Sequence, residues 1–178
     1  MRWDKINKAL NIFLVVIIAA YAINYLYRLP RFDSGEKAPE FSAKLADSSE
    51  FSLNELKGKY ILIDFWGSWC GPCRRENVSL VQLYQTTRNA RYKDAGGFEI
   101  VSVALETNGE SWKRAVEKDQ LSWKYHVVEL DRFSGPVATM YGVREIPTKY
   151  FIGPSGHILM VNPDFDEINQ YLQERMQE

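Results

Sequence analysis

Two cysteines and two histidines are all that this 178-residue chain offers among the residue types most used for covalent links and soft metals. Such a count excludes the multi-bridge scaffold of a small secreted protein, and a chain of this length buries a core without staples. Cys70 and Cys73 stand so close that a bridge between them closes a tiny loop and adds little stability through chain entropy. A pair that stabilises so little is better explained by chemistry. Internal repeats and low-complexity tracts are also lacking, and the composition is that of a globular protein. Positive charge is scarce over most of the length. Residues 1–31 hold five Lys or Arg against one Asp, so the remainder carries 17 basic and 22 acidic side chains, a net of −5. No basic stripe is left for a phosphate backbone, which argues against nucleic acid as a partner.

Long apolar runs are absent with one exception. Ala9 to Tyr27 is nineteen residues without a charge, centred on Ile12-Phe13-Leu14-Val15-Val16-Ile17-Ile18. As a helix it reaches roughly 28 Å, about the thickness of a bilayer's hydrocarbon core. Tyr21, Tyr25 and Tyr27 gather at its far end, where amphipathic rings favour the membrane–water interface. Arg2, Lys5 and Lys8 precede it, while Arg28 and Arg31 are soon diluted by Asp33 and Glu36, a bias towards an N-in, C-out orientation. An apolar surface all round the helix speaks against a buried core element. Ala20-Tyr21-Ala22 fits a small-x-small cleavage site, but hydrophobicity continues through Ile23, Tyr25 and Leu26. Residues 1–28 are therefore read as an uncleaved anchor, with a signal peptide cleaved after Ala22 as the alternative. Either reading exports the rest of the chain.

Residues 29–40, with Pro30, Gly35 and Pro39, read as a linker, and residues 41–178 as one domain. Phe41–Phe51 predicts a hairpin turning at Asp47-Ser48-Ser49, and Leu53–Lys57 a helical turn ended by Gly58. Tyr60–Phe65 (YILIDF) is a strand-length apolar run broken only by Asp64. A helix is expected from about Cys70 to Ala90, then a strand over Phe98–Leu105, a helix over Ser111–Asp119, a strand over Trp123–Leu130 and a short helix over Ser134–Tyr141. Lys149–Ile152 and His157–Val161 flank the turn Gly153-Pro154-Ser155-Gly156. Asp164 with Glu167 resembles a capping box, opening an amphipathic helix through Phe165, Ile168, Leu172 and Met176. Strands alternating with helices, then an antiparallel hairpin, give an α/β fold with a central mixed sheet flanked by helices.

The stretch DFWGSWCGPCRRE, Asp64 to Glu76, holds both cysteines. Positions i and i+3 on a helix's first turn set α-carbons about 5–6 Å apart, the separation that a disulfide needs. Dithiol and bridge can therefore interconvert with little backbone movement. Pro72 suits a first turn, where its missing N–H has no intrahelical partner. The positive helix end, with Arg74 and Arg75 nearby, favours a thiolate on Cys70. By this geometry Cys70 attacks a substrate disulfide and Cys73, deeper in the helix, resolves the mixed disulfide. Removing the Cys73 proton needs a base: Asp64, its acidity weakened by burial, or Glu76, three residues on along the same helix face. A purely structural Asp64 and an exposed Glu76 paired with an arginine are the plain alternatives.

Asp64-Phe65-Trp66 followed by Trp69-Cys70-Gly71-Pro72-Cys73 resembles the active-site strand and helix start of thioredoxins. Tyr141-Gly142-Val143-Arg144-Glu145-Ile146-Pro147-Thr148 is similar to the thioredoxin segment that carries a cis-proline. With the apolar lead and the hairpin before the first core strand, the chain resembles, from about Phe32 to Gln177, the anchored thioredoxin-like proteins of TlpA/ResA type. This resemblance implies a thioredoxin-like fold with an N-terminal hairpin extension. It implies that Pro147 is cis and faces the cysteines, with Ile146 presenting its backbone to an extended substrate. Trp69, Gly71, Pro72, Ile146 and Pro147 are then the candidate substrate-binding residues, and Cys70, Cys73, Asp64 and Glu76 the candidate catalytic ones. Glu76 takes the place of a glutamate that assists thiol chemistry in the anchored family, and Asp64 that of the buried aspartate of thioredoxin. Val78 departs from the pattern, standing where a helix proline is usual.

The expected activity is thiol–disulfide exchange, reducing protein disulfides on the periplasmic face of a bacterial inner membrane. The partners are disulfide-containing proteins and a membrane or periplasmic thiol donor, and the setting is cytochrome c maturation or a general thiol pathway. No metal and no cofactor beyond the Cys70–Cys73 couple is expected. A zinc site of Cys70, Cys73, His126 and His157 lacks ligand spacing. A peroxiredoxin-like peroxidase would carry threonine where Gly67 stands, and a redox-inactive module would have lost a cysteine. Gly71-Pro72 resembles the reducing thioredoxins, with an oxidase or isomerase as the alternative.

Overall fold

The computed structural model of the chain describes residues 2–177. Its apolar run YILIDFW becomes strand β3 (Tyr60–Trp66) when the strands are counted after the hairpin of β1 (Ser42–Lys44) and β2 (Glu50–Ser52), and every residue of β3 is buried. The hairpin turns at Asp47, whose Oδ1 accepts the Ser49 N–H at 2.9 Å, while Ser48 takes a positive φ of 69°. After β3 come helix α2 (Gly71–Thr87), β4 (Phe98–Leu105), α3 (Gly109–Asp119), β5 (Tyr125–Glu129), α4 (Pro136–Tyr141), β6 (Thr148–Ile152), β7 (Ile158–Val161) and α5 (Phe165–Gln173). Helix α1 (Arg2–Arg28) precedes them all.

Five strands form one sheet in the order β5-β4-β3-β6-β7. β3 runs parallel to β4 and β4 to β5, whereas β6 lies antiparallel to both β3 and β7. The sheet is mixed, as the order of motifs predicts. Alternation along β3 divides the core in two. Ile61, Ile63 and Phe65 pack with the hairpin and α4, against Phe41, Phe51 and Tyr141. Leu62 and Trp66 face the other way, towards Leu80 of α2, Trp112 of α3 and Leu172 of α5. Asp64 sits between Leu62 and Trp66 in the alternation, and so belongs to the side that also holds Cys70 and Cys73.

Several boundaries move. α2 stops at Thr87, not Ala90, and continues as regular helix through the exposed Val78. α3 starts at Gly109 because the Asn108 side chain accepts the Glu110 N–H and caps it. β5 starts at Tyr125; Trp123 precedes it, buried, with its indole N–H donating to Ser102 Oγ at 3.0 Å. The Asp164–Glu167 capping box is formed, but α5 ends at Gln173, and Met176 instead bridges to Tyr92. Apolar spacing alone places Met176 on the helix; the backbone pairing with Tyr92 takes it off.

Candidate active site

Cys70 is the N-cap of α2, one residue ahead of the helix proper, and Cys73 is its third residue. Cys70 Sγ accepts the Cys73 N–H at 3.2 Å, so an amide at the helix's positive end faces the sulfur. The two sulfurs are bonded at 2.04 Å with α-carbons 5.3 Å apart. Gly71 and Pro72 are exposed between them. Arg75 is exposed as well, but the Arg74 guanidinium is not free to serve Cys70. It grips Asp119 of α3 through Nε and Nη2, and Asn77 donates to the same carboxylate at 2.7 Å.

The Ile146–Pro147 bond is cis, and the Ile146 carbonyl oxygen lies 3.9 Å from Cys70 Sγ. The loop before β6 therefore faces the disulfide, as the resemblance implies. On the other flank the end of β4 holds the segment leading into α2. The buried Glu106 accepts the Ser68 N–H at 2.5 Å and its hydroxyl at 2.9 Å, and the Trp69 indole donates to the Leu105 carbonyl at 2.7 Å. The ring of Trp69 is half-exposed beside Cys70, with the Arg132 guanidinium 4.7 Å above it and Phe133 against its edge.

Asp64 is 4% exposed, and burial pushes its carboxyl up to about 7, opposed by the positive charge of Lys149 and reinforced by the negative charge of Glu76. Among the described residues Glu76 pairs with a lysine and with no arginine. Its Oε2 accepts from Lys149 Nζ at 2.6 Å, and Lys149 is the direct cross-strand partner of Asp64 in the β3–β6 register. Sequence reasoning missed Lys149, Glu106 and Ser68. Lys149 opens a strand, where a polar residue is unremarkable; only the register places it against Asp64. Glu106, following an apolar strand that ends beside the motif, carried a fainter signal of the same kind as Asp64. The histidines of the zinc alternative lie elsewhere. His126 is stacked on Trp123 in the core, and His157 sits in the β6–β7 turn beside Ser155.

Residues 34–161 match the model of the AhpC/TSA family. The chain belongs to that family. Among its AhpC/TSA relatives is the thiol–disulfide oxidoreductase ResA of Oceanobacillus iheyensis, 33% identical over 139 residues, a match that covers 76% of this chain and 65% of that protein. The ResA of Bacillus cereus is 26% identical over 161 residues, 87% of each chain. Among solved structures, the thioredoxin domain of a thiol–disulfide oxidoreductase from Bacteroides vulgatus matches with a TM-score of 0.69 at 26% identity, over 79% of this chain and 99% of that one. The thioredoxin-like fold expected from the two motifs is the fold the chain has.

Proposed function

We propose that this chain is a thiol–disulfide oxidoreductase that reduces protein disulfides from a membrane tether, on the exported side. The observation that carries the reading is the Cys70–Cys73 pair at the start of α2, with the Ile146 carbonyl of the cis-proline loop 3.9 Å from Cys70 Sγ. The thiol–disulfide oxidoreductases among its relatives support the same class.

In the reducing direction the Cys70 thiolate attacks one sulfur of a substrate disulfide. The substrate S–S bond breaks, its far sulfur leaves as a thiolate and takes a proton, and Cys70 is left in a mixed disulfide. Cys73 then loses its proton to the Asp64 carboxylate and attacks Cys70 Sγ. The Cys70–Cys73 bond forms, the second substrate sulfur departs, and two electrons have passed from the dithiol to the substrate. Asp64 is suited to this step because its proton affinity lies near neutrality. Ile146 and Pro147 present backbone to an extended substrate segment, and Trp69, Gly71 and Pro72 complete the contact surface. The couple needs no metal or organic cofactor.

Tethering rests on α1. Ile6–Arg28 is 23 residues long, apolar enough to cross a bilayer, and entirely unburied by the rest of the chain. With the basic residues ahead of it inside, the domain faces the periplasm, fed by a thiol donor in the membrane or the periplasm, and serves cytochrome c maturation or a general thiol pathway. Insulin-disulfide reduction tests the activity: Cys70→Ser abolishes it, and retained turnover overturns the reading. A reduction potential close to that of thioredoxin, about −270 mV, fits a reductant, whereas a value near about −120 mV makes the protein an oxidase.

A further inference from the structure

Among the described residues Lys149 is the one buried lysine. An ammonium out of water is costly unless charge and hydrogen bonds compensate it. Here the compensation comes from two carboxylates on different elements. Asp64 stands opposite Lys149 across the β3–β6 pairing, and Glu76 of α2 accepts from Nζ at 2.6 Å. Among the described residues, the neighbouring elements meet the pair with uncharged groups. β4 places Ser102 opposite Asp64, α5 places the Phe165 ring 5.0 Å from Nζ, and Asn162 beyond β7 accepts the Lys149 backbone N–H at 2.8 Å. Reduction of the Cys70–Cys73 bond adds the Cys73 thiol, on the same helix as Glu76 and in the same core as Leu62 and Trp66.

Asp64 is sealed from solvent, whereas the Glu76 side chain is 36% exposed. A proton collected by Asp64 therefore needs a path to the rim. We propose that Lys149 is a positioning residue of the thiol–disulfide reaction: its ammonium couples the buried Asp64 to the rim carboxylate of Glu76 and keeps Asp64 ionised when Cys73 must give up its proton. In that step the Cys73 S–H bond breaks, Asp64 takes the proton, and the charge left behind resides on sulfur. Lys149 then gives a proton to Glu76 and, as the neutral amine, takes the one held by Asp64, so that it is charged before and after, and Glu76 releases the proton to water. The inference rests on the oxidoreductase reading for its chemistry, but the coupling itself is electrostatic and can be measured without turnover.

The readout is the infrared C=O band of protonated Asp64, assigned by its absence in Asp64→Asn, titrated in the full-length oxidised chain. Lys149→Met is expected to move that titration to higher pH, by about one unit, the effect of removing a nearby opposite charge. The pH profile of insulin reduction moves with it, and Lys149→Arg stays near the wild type. Glu76→Gln leaves the buried lysine in place and is expected to move the Asp64 titration to lower pH, which keeps the test decisive if Lys149→Met fails to fold. An Asp64 band that titrates unchanged in Lys149→Met or in Glu76→Gln overturns the proposal. Absent wild-type turnover alongside shifted titrations would overturn the oxidoreductase reading and leave the coupling standing.

Discussion

Gly67 and Trp69 leave no space between them: a Cβ on Gly67 would lie 2.7 Å from the indole nitrogen of Trp69 and 3.2 Å from Cδ1 of Ile146. The missing side chain lets the indole fold back to the Leu105 carbonyl while its ring stays half-exposed against Phe133 and Arg132. The threonine that peroxiredoxin-like enzymes place here has no room.

Gly67→Ala accordingly pushes the indole off Leu105 and disturbs Ile146, the residue whose carbonyl faces Cys70. Losing a hydrogen bond of about 1 kcal/mol that holds the proposed substrate surface in shape is expected to lower kcat/KM for insulin about three- to tenfold. Trp69 fluorescence shifts in the same variant. Unchanged kinetics would mean that the placement of Trp69 does not matter to the reaction.

His126 supplies a prediction about acid stability. It is buried, its ring stacked on Trp123 with centroids 5.5 Å apart, and burial pushes its pKa down to about 4 from 6.5. The folded protein therefore keeps the ring neutral where the unfolded chain already binds a proton. Stability is full above pH 6.5 and falls as pH drops towards 4, by roughly 3 kcal/mol in all. Asp64 titrates in the opposite sense across the same window, so the difference in denaturation midpoint between the wild type and His126→Phe reads His126: relative to the wild type, the stability of the variant should fall as pH rises from 4 to 6.5. An equal slope in both proteins would place the acid sensitivity elsewhere.

What the sequence revealed and what it hid divide along the line between local and non-local information. Asp64 was legible because one acid interrupts an otherwise apolar strand, and Cys70 and Cys73 because their spacing is itself a geometric statement. Pro147 was legible only through resemblance, since nothing local in Ile146-Pro147 dictates a cis bond. Lys149 was hidden: TKYFI reads as an ordinary strand opening, and its importance comes from pairing with a strand more than eighty residues earlier. Glu129 is a similar case. At the end of β5 it looks like a strand terminus turning to solvent, yet its carboxylate is buried and accepts the Val137 and Ala138 N–H groups at 2.6 and 3.0 Å. It caps α4 from a distance in sequence that no capping pattern covers, because α4 has a glycine, Gly135, as its own N-cap.

Asp64 leads to the opposite pH dependence from His126, and the two separate cleanly by mutation. Burial raises its folded pKa to about 7 from 3.8, so the unfolded chain gives up the proton first. As pH rises from 3.8 the folded state loses ground until about 7, and above that the deficit stays constant at roughly 4 kcal/mol. Asp64→Asn keeps the shape and removes the ionisation, so it should raise stability well above pH 7 by roughly 2–4 kcal/mol and leave it little changed near pH 4. The same variant should slow insulin reduction, with the loss falling on the resolution of the mixed disulfide and not on the first attack by Cys70. Stopped-flow quenching of the mixed disulfide measures that partition. An Asp64→Asn protein no more stable at alkaline pH, or one that resolves the mixed disulfide at the wild-type rate, would remove Asp64 from the proton path.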